Sequence, residues 1–195
     1  MSKSNNCENK TDEELVLLTL KDQDYYACLV QRYEDKIFRY IKRISSVPTE
    51  DVEDILQDVF ISAYKNLNGF DHGFKFSSWL YHIAHNKTIS FWRRMRLRPQ
   101  VVTSEDDVEL FLAVSAGDNL LEHIENKHDL EQVKIIIDSL DVKYRDVLIL
   151  KFLEEKNYKE ISDILKKPMG TVATLINRAK KQLKKKAIEQ KVHKF

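Results

Sequence analysis

Between Phe70 and Arg96 the chain reads FDHGFKFSSWLYHIAHNKTISFWRRMR, a short glycine-containing loop rich in phenylalanine and then two tryptophans, two histidines, an asparagine and a cluster of arginines. Large aromatics beside cations suit one chemistry in particular: unpaired bases stack on rings while positive side chains hold the phosphate backbone. On a helix starting at Ser77, Trp79, His82, Asn86, Ser90 and Arg93 lie along one stripe by three-and-four spacing, and Leu80, Ile83, Ala84 and Lys87 along a neighbouring one. One stripe packs and the other presents aromatic, amide and cationic groups together. The preceding loop, Phe70 to Phe76 with Asp71, Phe74 and Lys75, is placed to form a pocket for a base rotated out of its stack. The competing expectation makes Trp79, Trp92 and the phenylalanines core and the arginines merely solvated. Single rings favour that expectation, whereas the ensemble favours nucleic acid.

No other chemistry finds its residues. His72, His82, His85, His123, His128 and His193 lack the nucleophile or acidic partner that hydrolysis would need, so no catalytic residue is assigned and no enzyme is expected. Cys7 and Cys28 form neither a CxxC pair nor a His/Cys cluster at metal spacing. The expectation is therefore no metal, no cofactor and two plain thiols, with Cys28 in a core.

A second informative stretch, NYKEISDILKKPMGTVATLINRAKKQLKK, reads as a short helix from Lys159 to Leu165, a tight break at Lys166 to Met169, and a longer helix from about Gly170 or Thr171. This is the layout of a helix-turn-helix, whose second helix enters the major groove. Packing of Ile161, Ile164 and Leu165 against Val172, Ile176 and Ala179 would leave Thr171, Ala173, Thr174, Asn177 and Arg178 on the open side to read bases. Lys180, Lys181, Lys184 and Lys185 beyond them suit phosphates, which add affinity without sequence information. A plain helical hairpin with a lysine-rich tail is the bland alternative.

These stretches need helices to hold them, and the rest of the chain supplies the pattern. Leu29, Tyr33, Ile37, Tyr40, Ile41 and Ile44 follow helical spacing, as do Val52, Ile55, Leu56, Val59, Phe60, Ala63, Tyr64 and Leu67. Thr49 is a candidate cap for the second of these helices, Asn68-Gly69 ends it, and Ser77 is a candidate cap for the next. The face opposite its apolar stripe carries Asp51, Asp54, Gln57 and Asp58, which would repel phosphate and so meets either a protein partner or water. From Pro99 to about Lys127 periodicity weakens and acidic residues dominate, with room for a short helix near Leu120 to Ile124. Beyond it, Leu130, Val133, Ile136, Ile137 and Leu140 resume the helical pattern.

The expected fold is thus all-α: two small helical domains, 1–98 and 129–195, joined by an acidic linker, 99–128. The net charge of +1 conceals this division, because basic clusters close both halves and the acidic stretch lies between them. No apolar run approaches the ~20 residues of a bilayer span, and the opening MSKSNNCENKTDEEL lacks the apolar centre of a signal peptide. A cytoplasmic location without membrane insertion follows as the expectation.

The stretch DVEDILQDVFISAYKNLNGFDHGFKFSSWLYHIAHNKTISFWRR resembles region 2 of sigma-70-family initiation factors, and LDVKYRDVLILKFLEEKNYKEISDILKKPMGTVATLINRAKKQL resembles their region 4. From Leu15 to Lys186 the chain is similar to the extracytoplasmic-function (ECF) type. The resemblance implies a region 2 helical bundle and a region 4 helix-turn-helix that together bind bacterial core RNA polymerase and promoter DNA. It places Glu53, Asp54, Gln57 and Asp58 on the polymerase. It places Phe70, Asp71, Phe74, Lys75, Phe76, Trp79, His82, Asn86 and Arg93 at the −10 element, and Lys159, Thr171, Ala173, Thr174, Asn177, Arg178 and Lys181 at the −35 element. An anti-sigma partner is usual in that family. The chain departs from it at His82 and His85, where arginines are common, at Ala173 and Leu175, where basic residues are common, and at Lys166, which replaces a frequent turn glycine. The rival reading is a stand-alone helix-turn-helix regulator that recruits nothing.

Overall fold

A computed structural model describes residues 7–45, 47–95 and 139–192, the last with side chains to 186. The described residues form α-helices and no strand. The expected linker, its short helix and the positions from Leu130 to Ile137 lie outside them. The chain separates into two compact units, one of Met1–Arg98 together with Asp163–Leu165 and the other of Pro99–Ser162 together with Lys166–Phe195.

In the first unit α1 spans Asp12–Thr19, α2 Tyr26–Ile44, α3 Thr49–Lys65 and α4 Phe76–Met95, with single 3₁₀ turns at Gln23–Tyr25 and Leu67–Gly69. The core is the one the spacing marks. Leu29, Tyr33, Ile37, Tyr40, Ile41 and Ile44 of α2, and Val52, Ile55, Leu56, Val59, Phe60 and Ala63 of α3, are all buried. Tyr64 departs from the pattern and stays 42% exposed. Its ring instead lies 5.0 Å from that of Tyr26, and its hydroxyl donates to Gln23 Oε1 at 3.2 Å. Tyr26 in turn donates to the Phe60 carbonyl at 2.7 Å, and burial pushes its phenol well above the usual range.

Two expected caps are displaced. Pro48 occupies the cap position of α3, leaving Thr49 inside the helix with no capping bond from the Pro48 side chain. α4 begins at Phe76, so Ser77 is its second residue. The first amide, Phe76 N–H, donates instead to Glu13 Oε1 of α1 at 3.2 Å. A carboxylate there both satisfies an orphan donor and suits the positive end of the helix.

The expectation of two plain thiols is overturned. Cys7 and Cys28 form a disulfide, with Cα atoms 6.1 Å apart, inside the range such bridges require. Arg32 explains why the N-terminal segment lies there. Its Nη2 donates to the carbonyls of Cys7 at 2.9 Å and Lys10 at 3.0 Å, while Nη1 binds Asp12 Oδ1 at 2.6 Å. The Tyr33 hydroxyl donates to the other Asp12 oxygen. Burial first, and then Asp12, hold that phenol far above its ordinary pKa.

From residue 139 onward α5 spans Val142–Leu148 and passes into a π turn, Ile149–Leu153; α6 spans Tyr158–Leu165 and α7 Met169–Val192. Asn157 and Glu160 close a capping box on α6, at 2.9 and 2.8 Å. Ile161, Ile164, Val172, Ile176 and Ala179 of the expected packing stripes are buried, as is Leu183, whereas Leu165 is only half-buried.

Asp146 is also buried, 6% exposed, and desolvation raises its carboxyl to about 7 against the opposing charges of Arg145 and Lys167. Between the unfolded value near ~3.9 and that folded value, the folded state keeps a proton that the unfolded chain releases, so stability falls as pH rises through the window. We expect a slope of up to about 1.4 kcal/mol per pH unit between pH 5 and 7 in the amide-exchange free energies of α5. Asp146→Asn should flatten it, and a flat wild-type profile would contradict the assignment.

Candidate nucleic-acid interface

Turn chemistry builds the loop before α4. The Asp71 side chain accepts from Gly73 N–H at 2.8 Å and its carbonyl from Phe74 N–H at 3.0 Å, closing a tight turn. A Cβ on residue 73 would stand 3.1 Å from Asp71 Oδ1, so glycine gives the turn its room.

The loop's aromatic residues then divide. Phe70 and Phe76 are buried, and their rings lie 5.9 Å apart; Trp79 is 5.2 Å from Phe70 and 5.8 Å from Phe76, and Tyr33 closes on Phe76 at 5.7 Å. They form a floor. Asp71, His72, Phe74 and Lys75 are exposed at the rim, with the His72 ring edge-on to Phe70 at 5.2 Å. Half-buried Trp79 belongs to both floor and surface, and it also lines a cleft of about 300 Å³ with Ser62, Asn66, Gly69 and Ile83.

Along α4, Asn86, Ser90 and Arg93 are exposed and His82 half-buried, so the expected stripe is on the surface. Asn86 Nδ2 lies 3.0 Å from His82 Nε2, which places the imidazole proton on the other nitrogen when the amide donates. His85, by contrast, is a core residue, 3.1 Å from the Tyr40 hydroxyl through Nδ1.

The acidic face of α3 is exposed at Glu53, Asp54, Gln57 and Asp58. Asp54, Gln57 and Asp58 line a groove of about 380 Å³ whose other wall is Lys87, Ser90, Phe91 and Arg94 of α4. Glu53 lies outside it. Lys87 Nζ stands 3.7 Å from Asp58 Oδ2, a solvated pair that adds well under about 1 kcal/mol to stability. Lys87, which spacing places on the packing stripe, thus faces this groove, and Ile61, 50% exposed, lines it as well. The charge of Lys87 was the available signal that this stripe ends at the surface.

On α7, Thr171, Thr174, Asn177, Arg178 and Lys181 are exposed, Ala173 is half-buried, and Lys159 is exposed on α6. The Thr174 hydroxyl donates back to the Gly170 carbonyl at 2.8 Å, leaving its methyl and oxygen lone pairs for a ligand. Lys184 and Lys185 are exposed, whereas Lys180 lies over the Phe152 ring at 5.0 Å, half-buried.

The turn between α6 and α7 holds Lys166 at φ 51°, ψ 47°, the left-handed conformation that the missing glycine implied. Ser162 secures it, accepting from Lys167 N–H at 3.2 Å and donating to the Lys167 carbonyl at 2.5 Å. Lys166→Gly should raise the stability of this unit by roughly 0.5–1 kcal/mol in urea unfolding, and a loss would refute the strain argument.

A helical unit with an aromatic loop and cationic helix, followed by a unit whose exposed reading helix leaves a tight turn, has the design of a two-domain helical DNA-binding protein. Residues 29–98 match the family model for sigma-70 region 2, and residues 130–183 that for sigma-70 region 4. The chain is 37% identical to the ECF RNA polymerase sigma factor SigW of Bacillus subtilis, over 84% of its own length and 89% of that protein. It is 34% identical to the ECF RNA polymerase sigma-E factor of Escherichia coli, over 92% and 95%. The chain belongs to the sigma-70 family, in its ECF group, and is a promoter-directing transcription initiation factor. Solved structures share the fold. CnrH in complex with the cytosolic domain of CnrY has a TM-score of 0.62 at 22% identity, covering 90% of this chain and 96% of that one. The sigma factor RpoE in complex with the anti-sigma factor NepR from Bartonella quintana has a TM-score of 0.57 at 17% identity, covering 80% and 92%. Among the described residues no helix is long and apolar enough to cross a membrane.

Proposed function

We propose that this sigma factor acts in the cytoplasm by binding energy alone, with the first unit melting the −10 element and the second reading the −35 duplex. Residues 1–98 dock on core polymerase and capture an unpaired base, 129–195 hold the upstream duplex, and the acidic stretch 99–128 spans the distance between them. Asp54, Gln57 and Asp58 form the docking wall, flanked by Glu53. Phe74, Lys75, Trp79 and Asn86 meet the displaced base and its neighbours, with Phe70 and Phe76 as the support beneath. His82 and Arg93 follow the strand, and Asp71 holds the loop's shape.

Thr171, Ala173, Thr174, Asn177 and Arg178 face the −35 bases. Arg178 carries the strongest donor set for guanine, since arginine forms paired bonds to that base's edge. Lys159 and Lys181 lie where phosphates pass. Because relatives of this fold have been solved with CnrY and with an anti-sigma factor, an inhibitory protein that covers these faces is also part of the reading.

The observation that carries this function is the half-buried Trp79, resting on buried Phe70 and Phe76 while remaining partly open to solvent two turns before exposed Asn86 on α4. A supported ring of this kind is what an unpaired base requires, and a stand-alone duplex regulator has no use for it. The test is transcription from a promoter library by bacterial core polymerase mixed with the purified chain. Dependent transcripts sharing −10 and −35 elements support the reading. A chain that retards duplex DNA but neither binds core nor yields transcripts would be a stand-alone regulator.

A further inference from the structure

The Cys7–Cys28 disulfide stands at one end of a continuous set of contacts that ends beneath the base-capturing loop. Arg32, one helical turn after Cys28, binds the carbonyls of Cys7 and Lys10 and the carboxylate of Asp12. Asp12 accepts from Tyr33, whose ring packs on Phe76 at 5.7 Å. Glu13, the next residue of α1, accepts from the Phe76 amide at 3.2 Å. Phe76 carries Trp79 and Phe70. The disulfide and Arg32 together hold the segment leading into α1, whose Glu13 caps the first turn of α4, and both cysteines lie before the region 2 match, 29–98.

A transcription factor works in a reducing compartment, where a disulfide is transient and serves as a redox sensor more often than as a permanent brace. We propose that Cys7 and Cys28 are a thiol–disulfide site that sets the rate of promoter opening, with Glu13 as the positioning residue that transmits its state to the −10 loop. The inference rests on the −10 reading above. The oxidant is a low-molecular-weight disulfide. One cysteine thiolate attacks it to form a mixed disulfide and expel one small thiolate; the second cysteine then attacks the mixed disulfide and expels the other. The protein gains one S–S bond and the small disulfide loses one. Two electrons pass to the small molecule, and its two thiolates take up the two protons the cysteines release.

Oxidised protein holds α1 against the start of α4 and keeps the floor of Phe70, Phe76 and Trp79 fixed. Reduction frees the segment before α1 and loosens the Glu13 acceptor, so the loop must be ordered at the moment a base is captured. That ordering slows opening without changing how the second unit holds duplex DNA.

The test uses holoenzyme made from core polymerase and the full chain, pretreated with oxidised glutathione or with dithiothreitol and then freed of reagent. Peptide mapping checks the Cys7–Cys28 link. Opening is followed by permanganate reactivity of thymines on a promoter recovered from the library, and closed-complex affinity by mobility shift. The expected result is opening about tenfold slower for the reduced form, the size of one lost charge-assisted bond, with closed-complex affinity unchanged. Cys7→Ser with Cys28→Ser should open at the reduced rate under both pretreatments. Glu13→Ala should be slow in both states, and Glu13→Gln, which keeps the acceptor oxygen, should restore the response. Equal opening rates for the two forms, or no Cys7–Cys28 link after oxidation, would overturn the proposal while leaving the −10 reading intact. A holoenzyme that forms closed complexes but opens in neither state would remove the −10 reading and the proposal together.

Discussion

Trp79→Ala is expected to slow promoter opening by about 10- to 100-fold while closed complexes form with unchanged affinity, because stacking of one base on one ring contributes about 1–3 kcal/mol. The geometry makes this residue the sharpest test of the first unit. Phe70 and Phe76 are buried beneath it, so they support a ring without presenting a face of their own. Removing a half-buried indole also leaves a gap over that floor, which by itself lowers the stability of the unit. Trp79→Phe separates the effects: a smaller ring still stacks, so opening should recover most of the loss even where stability does not. Opening at the wild-type rate by the alanine variant, measured by permanganate reactivity beside a thermal melt, would remove Trp79 from the capture site.

Asp58→Arg is expected to weaken binding to core polymerase by about 100-fold, or about 3 kcal/mol, in the range measured for close charge pairs at interfaces. Asp58 is exposed and its contact with Lys87 at 3.7 Å is solvated, so reversal should change the folding stability by less than about 1 kcal/mol. The groove would nevertheless change character, since the new cation faces Lys87 and Arg94 across it. Asp54→Arg should reproduce the loss and Glu53→Arg, outside the groove, should lose much less. Affinity is read by competition for core polymerase against an unmodified labelled copy. Wild-type affinity in both groove variants would move the docking site off this face.

Helical periodicity made the packing legible. In α2 and α3 the stripes named from spacing are buried almost residue for residue, because a repeat of three and four leaves a helix few ways to hide its apolar groups. The exposed side of α7 followed from the same local rules, whereas the left-handed Lys166 followed from the turn glycine that the family resemblance implies at that position. What spacing missed depends on partners distant in sequence. The amide of Phe76 is capped from Glu13, 63 residues away, so Ser77 had no cap to provide. Cys7 meets Cys28 because Arg32 gathers the N-terminal carbonyls, which no cysteine motif encodes. Ser78, Tyr81, His85, Thr88 and Trp92 are all buried and themselves follow three-and-four spacing, so the histidine sits inside a packing stripe. The site was legible as a set of residue types, while the division between floor and rim required knowing which phenylalanines the helix start would bury.

The placement of the two tryptophans has an optical consequence. Both belong to α4, with Trp92 buried and Trp79 half in solvent beside the loop. Indole emission from this chain therefore originates wholly in the first unit, as a blue component from the enclosed ring and a redder one from the ring at the surface. A nucleobase laid on Trp79 should quench the red component and leave the blue one standing, so the unlabelled protein carries its own photophysical gauge of base capture.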